Sequence, residues 1–102
     1  MIHKPEFRFT PRQVILWCRK NHHCDMCAGQ VLALMALMVD RGWNMTQLAH
    51  HSHVGRATIS EILSLDTFGS TETFNTLAET FGLKLIGFYL FAHFCYAAEA
   101  SP

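Results

Sequence analysis

Residues 44–63, NMTQLAHHSHVGRATISEIL, contain two short helical patterns separated by only a few residues. Asn44 is followed three residues later by Gln47, which forms a capping-box pattern and marks the start of a helix over about 45–52. A second helix is predicted to begin at residue 55 or 56 and to run to about residue 65. The spacing leaves room only for a tight turn, so the segment predicts a helix-turn-helix pair.

The side chains of this segment meet the packing requirements of such a pair. Ala49 provides a small residue where the two helices cross. The turn needs a residue that tolerates positive φ, and His53 occupies that place, since histidine is one of the few side chains found there. The apolar anchors that both helices need are Leu48, Val54, Ile59 and Ile62. The histidines of HHSH are therefore interpreted as a polar helix end and turn, rather than as a metal site.

Two further helices are predicted before this segment. Thr10 can cap a helix, Pro11 suits its first position and Gln13 completes a capping box, so a short helix to about Lys20 is expected. Residues 26–41 include VLALMALMV, which is apolar all round. A helix with this pattern is buried on more than one face.

The chain after the pair contains one more predicted helix and one undecided segment. Ser70 can cap a helix whose i, i+3, i+4, i+7 apolar positions are Phe74, Leu77, Ala78 and Phe81. The apolar run over residues 85–97 is compatible with a strand or a helix, because periodicity does not decide a run this short. We therefore expect an all-α domain with an apolar C-terminal strand or helix.

The segments DRGWNMTQLAHHSHVGRATISEIL and ETFNTLAETFGL together resemble the Cro- and lambda-repressor-like helix-turn-helix family, also called the Xre family. The resemblance covers about residues 31–83, and His53 stands where the family usually has a turn glycine. It implies a lambda-repressor-like helix-turn-helix domain that usually dimerises and usually binds operator DNA. In this chain the domain would carry an extra N-terminal helix.

The resemblance also implies, position by position, which residues contact DNA. Arg56 and Ala57 stand where the family's recognition helix opens onto base edges, and an arginine guanidinium can bond guanine bidentately. Asn44 and Thr46 open the preceding helix, where free backbone N–H groups suit a phosphate. Three further residues lie on or beside the exposed side of the recognition helix, namely Thr58, Ser60 and Glu61.

Charge is unevenly distributed, although the chain of 102 residues has no net charge. Residues 1–25 contain five lysines and arginines and two acidic residues, which is a net charge of +3. Residues 26–102 contain three such cations and six acidic residues, which is a net charge of −3. Because phosphate contacts supply most non-specific DNA affinity, we expect a polyanionic partner to touch the first quarter of the chain.

The length fits a single domain, within which three segments differ in character. Residues 1–25 are a basic N-terminal extension with a short helix. Residues 26–83 are the predicted helix-turn-helix domain. Residues 84–102 are an apolar C-terminal dimerisation segment and tail.

A cluster of cysteines and histidines precedes the long apolar helix. Cys24 and Cys27 have C-x-x-C spacing, while Cys18 and His22 are expected to share one face of the first helix. Together these four side chains offer the ligands that zinc prefers. The alternative is that Cys18 and Cys27 are small core residues and His22 belongs to a solvated link, because a single C-x-x-C is weak evidence for a metal. We expect no cofactor, with zinc as the first alternative and a redox role of the cysteines as a further one.

Several functional classes are not expected. The start of the chain, MIHKPEFRF, lacks the apolar segment of a secretory signal, so a cytoplasmic location with reduced cysteines is expected. The longest apolar run, 85–98, is shorter than the roughly 20 residues that cross a bilayer, so no membrane span is expected. The sequence has no phosphate loop and no paired carboxylates or base–nucleophile arrangement, so an enzyme is not expected.

The sequence therefore predicts a transcription regulator, a repressor that binds a palindromic operator in double-stranded DNA as a homodimer. Dimerisation is expected through residues 85–96, aided by the outer face of residues 31–39. One alternative is an antitoxin that regulates its own promoter and binds a toxin protein, because GLKLIGFYL resembles a strand that follows this domain in some antitoxins. Another is a protein-interaction module on the same fold, because residues 26–102 are acidic.

Overall fold

A computed structural model describes residues 7–101, and those residues form six helices and no strand. The helices are α1 (Pro11–Lys20), α2 (Asp25–Arg41), α3 (Met45–Ser52), α4 (Arg56–Leu63), α5 (Thr71–Thr80) and α6 (Leu85–Ala100). The predicted all-α class is confirmed for this part of the chain. The segment left undecided between strand and helix is a helix, α6. Residues 1–6, which include Lys4 of the basic extension, lie outside the described residues.

The three predicted capping residues stand at the N-cap positions of α1, α3 and α5. The hydroxyl of Thr10 accepts the N–H of Gln13 at 3.2 Å, and the Gln13 side chain accepts the N–H of Thr10 at 2.8 Å. Asn44 and Gln47 exchange the same pair of bonds, both at 2.8 Å. Ser70 caps α5 through its side chain. Each cap satisfies backbone N–H groups that have no partner inside the helix.

The helix α4 ends at Leu63, two residues before the predicted end. Leu65 adopts a left-handed conformation with φ of 63°, which stops the helix. The N–H of Asp66 then bonds back to the carbonyl of Glu61 at 2.9 Å, as in a glycine-terminated helix. A leucine in this conformation costs about 1–2 kcal/mol, and the burial of its side chain offsets that cost.

The helix α2 is central, since α1, α4 and α6 all pack against it. Its buried residues lie around the helix rather than along one stripe: Ala28, Gly29, Val31, Leu32, Ala33, Leu34, Met35 and Met38. The prediction of burial on more than one face is confirmed. The closest approach is to α6, where a Cβ added at Gly29 would lie 2.6 Å from the backbone oxygen of Ala92.

The helices α3 and α4 pack against each other through the predicted anchors. Leu48, Ile59 and Ile62 are fully buried, while Ala49 and Val54 are partly buried against the same core. The apolar stripe of α5 is also buried as predicted, with Phe74, Leu77, Ala78 and Phe81 all inside. These contacts hold the α3–α4 pair on the body of the protein.

Within residues 7–101, no single helix is long and apolar enough to cross a membrane. Only the consecutive helices α5 and α6, taken together, have the length and apolar composition of a membrane span, and they are bent by 91° relative to each other.

The close approach of α2 and α6 predicts opposite effects for two glycine-to-alanine substitutions. Gly29→Ala should lower the free energy of unfolding by about 1–3 kcal/mol, because the new methyl group collides with rigid backbone. In Gly87→Ala, in α6, the added methyl group has no atom within 4 Å. This substitution should raise the free energy of unfolding by up to about 1 kcal/mol, because alanine has the higher helix propensity. Urea unfolding followed by circular dichroism, at one fixed protein concentration, measures both. A Gly29→Ala variant as stable as the parent would contradict this packing.

Candidate functional site

The turn between α3 and α4 is built by Ser52 and His53. His53 has φ of 62°, in the left-handed region, and its N–H bonds to the carbonyl of Ala49 at 2.9 Å. The buried hydroxyl of Ser52 accepts the N–H of Val54 at 3.1 Å. The prediction that His53 occupies the turn position with positive φ is confirmed.

The helix α4 presents a polar face to solvent. Ile59, Ile62 and Leu63 are buried against the core, which fixes the rotation of the helix about its axis. Three of the predicted DNA-contacting residues, Arg56, Ala57 and Glu61, are exposed, and two, Thr58 and Ser60, are half-buried at the edges. The structure therefore brings these five residues together on the outer side of one helix.

The other two predicted DNA-contacting residues, Asn44 and Thr46, are exposed at the start of α3. The Asn44 Oδ1 is used by the cap, since it accepts the N–H of Gln47. Its Nδ2 group is therefore the part of the side chain available to donate to an external acceptor. The N–H groups of Met45 and Thr46 belong to the first turn of α3, which has no intrahelical acceptor for them.

The histidines at the end of α3 pack with aromatic rings. His51 stacks on Trp43 with ring centroids 4.3 Å apart, and His50 meets His51 edge-on at 5.5 Å. Trp43 also contacts Phe81, and the Arg41 guanidinium lies over the Trp43 ring, 5.6 Å from its centroid. The stacking of His51 on Trp43 holds His51 beside the link between α2 and α3. This position agrees with the interpretation of HHSH as a helix end.

The four zinc candidates are arranged differently from the prediction. Cys18 is buried in α1, but α1 ends at Lys20 and His22 lies beyond it with φ of 60°. The expectation that Cys18 and His22 share a helix face is therefore wrong, because the chain turns left-handed before His22. Across the described residues, no three histidine, cysteine or acidic side chains form a group that could hold a metal ion.

Cys24 and Cys27 do come together, with their Sγ atoms 3.0 Å apart at the start of α2. The hydrogen bond from the Cys27 thiol, followed by backbone N–H groups of the first turn, lowers the pKa of Cys24 below its usual value. Burial, then the hydrogen bond and charge of Cys24, raises the pKa of Cys27 to about 11. Burial also raises the pKa of Cys18 and that of Cys95.

The outer face of α6 is apolar and exposed. Ile86, Leu90 and Phe94, spaced four residues apart, expose about two thirds of their surface: 66%, 66% and 67%. No lysine, arginine or acidic residue occurs in residues 85–98. We call Ile86, Leu90 and Phe94 the α6 stripe.

An open apolar groove of about 740 Å³ lies beside the α6 stripe, between α2 and α6. Phe94 belongs to both features, and Val39 of α2, which is 53% exposed, forms part of the opposite wall. The remaining lining residues are Phe7, Pro11, Leu32, Met35, Ala36, Phe91, Cys95, Ala98 and Glu99. The groove and the α6 stripe form a continuous apolar surface.

Comparisons of the chain with models of known protein families, with curated proteins and with solved structures found no match. Membership of the lambda-repressor-like family therefore remains a prediction from the residues that carry the resemblance.

Two features of the surface were not identified from the sequence. The C-x-x-C spacing indicated zinc or a redox role as alternatives, but it did not predict that the Cys24 and Cys27 thiols lie in contact at the start of α2. The groove was not recognised, because its walls come from α2 and α6, which are far apart in the sequence. No local signal in either helix indicates that a gap remains between them.

The left-handed turn predicts that His53→Gly stabilises the protein. Removing the Cβ relieves a conformation that costs a side chain about 1–2 kcal/mol, and the larger entropy of an unfolded glycine cancels part of that, so a net gain of roughly 0.5–1 kcal/mol is expected. The matched control, His50→Gly inside α3, should lose roughly 0.5 kcal/mol, because glycine has a lower helix propensity than histidine. Urea unfolding measures both. Equal losses in the two variants would show that His53 makes a contact worth more than its backbone strain.

Proposed function

We propose that the chain is a sequence-specific DNA-binding regulator of transcription, a repressor that binds a palindromic operator as a homodimer. The observation that carries the proposal is the exposed polar face of α4, held on a buried core directly after a tight left-handed turn. A helix presented in this way fits the major groove of B-DNA. Two copies would place their recognition helices in successive major grooves, about 34 Å apart.

The side chains on this face supply complementary chemistry for base edges. Arg56, at the first turn of α4, can donate two parallel hydrogen bonds to the O6 and N7 atoms of guanine. Glu61, five residues later, is also exposed and can accept from the N4 amino group of cytosine. Ala57 is small and lets the helix come close, and its methyl group suits contact with the thymine methyl.

Phosphate contacts are proposed to come from two places. The first turn of α3 offers the amide of Asn44, the hydroxyl of Thr46 and backbone N–H groups. The acidic body needs additional positive charge, and the N-terminal segment supplies it through Arg8, Arg12, Arg19 and Lys20, all of which are exposed. Binding is therefore expected to weaken steeply as salt concentration rises.

A second copy of the chain is the proposed occupant of the apolar surface on α2 and α6. The α6 stripe carries no charge, so two identical stripes can pack together without burying like charges. The groove beside it can receive the aromatic side chain of Phe94 from the other copy. A single eight-residue recognition helix contacts only a half-site, so dimerisation also fits the proposed function.

The proposal predicts a specific role for Arg56. Selection of bound sequences from random duplexes at low salt should enrich a palindrome, and Arg56→Ala should weaken binding to it by about 1–3 kcal/mol and relax one base position. Arg56→Lys keeps the charge but not the bidentate geometry, so it should lose discrimination more than non-specific affinity.

Lys84→Ala is the matched control for Arg56→Ala, because it removes one exposed positive charge from the link between α5 and α6. It should leave the preferred sequence unchanged. Failure to enrich any sequence with the folded parent protein at low salt would defeat the proposal.

The proposed dimer predicts that charge on the α6 stripe separates the copies. Leu90→Glu and Phe94→Glu should shift the protein from dimer to monomer in sedimentation equilibrium, because each would bury a carboxylate in an apolar interface. Leu16→Glu is the matched control, since Leu16 is an exposed apolar residue of α1 at 50% exposure. A parent protein that is monomeric at high micromolar concentration contradicts the dimer.

A protein-interaction module is the second candidate, because the continuous apolar surface and the acidic body both suit binding to another protein. A toxin protein, as in an antitoxin pair, is one such partner. The resemblance of GLKLIGFYL to an antitoxin strand does not support this candidate, because residues 85–90 of that segment lie in α6. Absence of operator selection, together with a monomeric parent, would favour the second candidate over the first.

A further inference from the structure

The start of α2 contains two cysteines in a reactive geometry. Cys24 occupies the N-cap position of this 17-residue helix and is exposed, while Cys27 lies one turn later and is half-buried. Their Sγ atoms are 3.0 Å apart. A disulfide bond is about 2.05 Å long, so the two sulfur atoms need to approach by only about 1 Å.

The two thiols differ in their surroundings. Cys24 is the N-cap residue of α2, where the positive end of the helix dipole favours a thiolate. Burial and the neighbouring sulfur keep the Cys27 thiol protonated, which is consistent with its raised pKa. An exposed thiolate beside a protected thiol is the arrangement of an attacking and a resolving cysteine.

We propose that Cys24 and Cys27 form a redox-active dithiol that is oxidised reversibly to a disulfide by external disulfides. The Cys24 thiolate attacks one sulfur of a disulfide R–S–S–R, the S–S bond breaks, and one thiolate RS⁻ leaves. Cys27 then loses its proton to solvent and attacks the Cys24 Sγ, which releases the second RS⁻. The two cysteines are oxidised by two electrons, and the external disulfide is reduced to two thiols.

The other two cysteines are placed differently. Cys18 is only 2% exposed, so an external disulfide cannot reach it without opening the core. Cys95 lies alone in α6 and lines the groove, far along the sequence from the other three cysteines. The reactivity is therefore assigned to Cys24 and Cys27. It does not depend on DNA binding, so the two proposals succeed or fail separately.

Trypsin places Cys18, the pair Cys24 and Cys27, and Cys95 on three different peptides, which makes the proposal directly testable. Cleavage after Lys20 and Arg41 gives a peptide of residues 21–41 whose only cysteines are Cys24 and Cys27. The folded full-length protein is equilibrated with oxidised glutathione, free thiols are alkylated, and the peptides are weighed. This peptide should lose two hydrogens and escape alkylation, and dithiothreitol should restore it, while the peptides with Cys18 and Cys95 stay alkylated.

Single variants identify the attacking thiol. Cys27→Ser should accumulate a mixed disulfide with glutathione on Cys24, because no resolving thiol remains. Cys24→Ser should accumulate at least about tenfold less of the glutathione mixed disulfide, on Cys27, because Cys27 is the more protected thiol. Cys95→Ser is the matched control and should form the Cys24–Cys27 disulfide as the parent does. Circular dichroism confirms that each variant is folded.

Two results would overturn the proposal. One is equal trapping of glutathione on Cys24 and on Cys27 in the two single variants, since it would remove the distinction between attacking and resolving thiols. The other is one equivalent of zinc in the purified protein that protects both thiols from oxidised glutathione. That result would assign the pair to a metal site.

Discussion

The close contact of α2 with α6 is the constraint on which the rest of the fold depends. Two small residues, Gly29 and Ala92, stand where the helices meet, and no side chain separates the two backbones at that point. This approach brings Phe88 of α6 onto Phe74 of α5, with ring centroids 5.6 Å apart. The helix α5 is thereby fixed to the same core. A larger residue at position 29 would move α6 outward and loosen both contacts.

The helix starts could be predicted from the sequence because side-chain caps are local and chemically specific. Thr10, Asn44 and Ser70 act on backbone groups no more than three residues away, and nothing distant alters that geometry. The end of α4 could not be predicted, because Leu65 adopts a conformation that its type disfavours and is kept there by burial in the core. Likewise, α6 was undecided because its pattern is apolar on all sides, and packing on α2 selects the helix.

The candidate site was predictable to the extent that it follows from one helix. Once Ile59 and Ile62 are assigned to the core, the 3.6-residue period places Ala57 and Glu61 outside, as the structure has them, while Arg56 is exposed as the first residue of the helix. The zinc hypothesis did not follow from the pattern of one helix, because it required α1 to continue as far as His22. The chain instead reverses at a left-handed His22, whose neighbour His23 donates its N–H to the carbonyl of Cys18 at 2.9 Å. His22 has no motif around it that marks a positive φ, whereas the helix-turn-helix pattern marked that of His53.

The outer face of α4 and the α6 stripe differ in their chemistry. The outer face of α4 carries charge and small polar groups and no large exposed apolar residue, which suits a hydrated, anionic partner. The α6 stripe is apolar and uncharged, and a helix that is apolar all round is stable only when its remaining face is covered. A nucleic acid cannot supply that cover, because its surface is charged and strongly hydrated. Protein is the cover that we propose for α6, because the surface of the same chain contains both an apolar ridge, the α6 stripe, and the groove beside it.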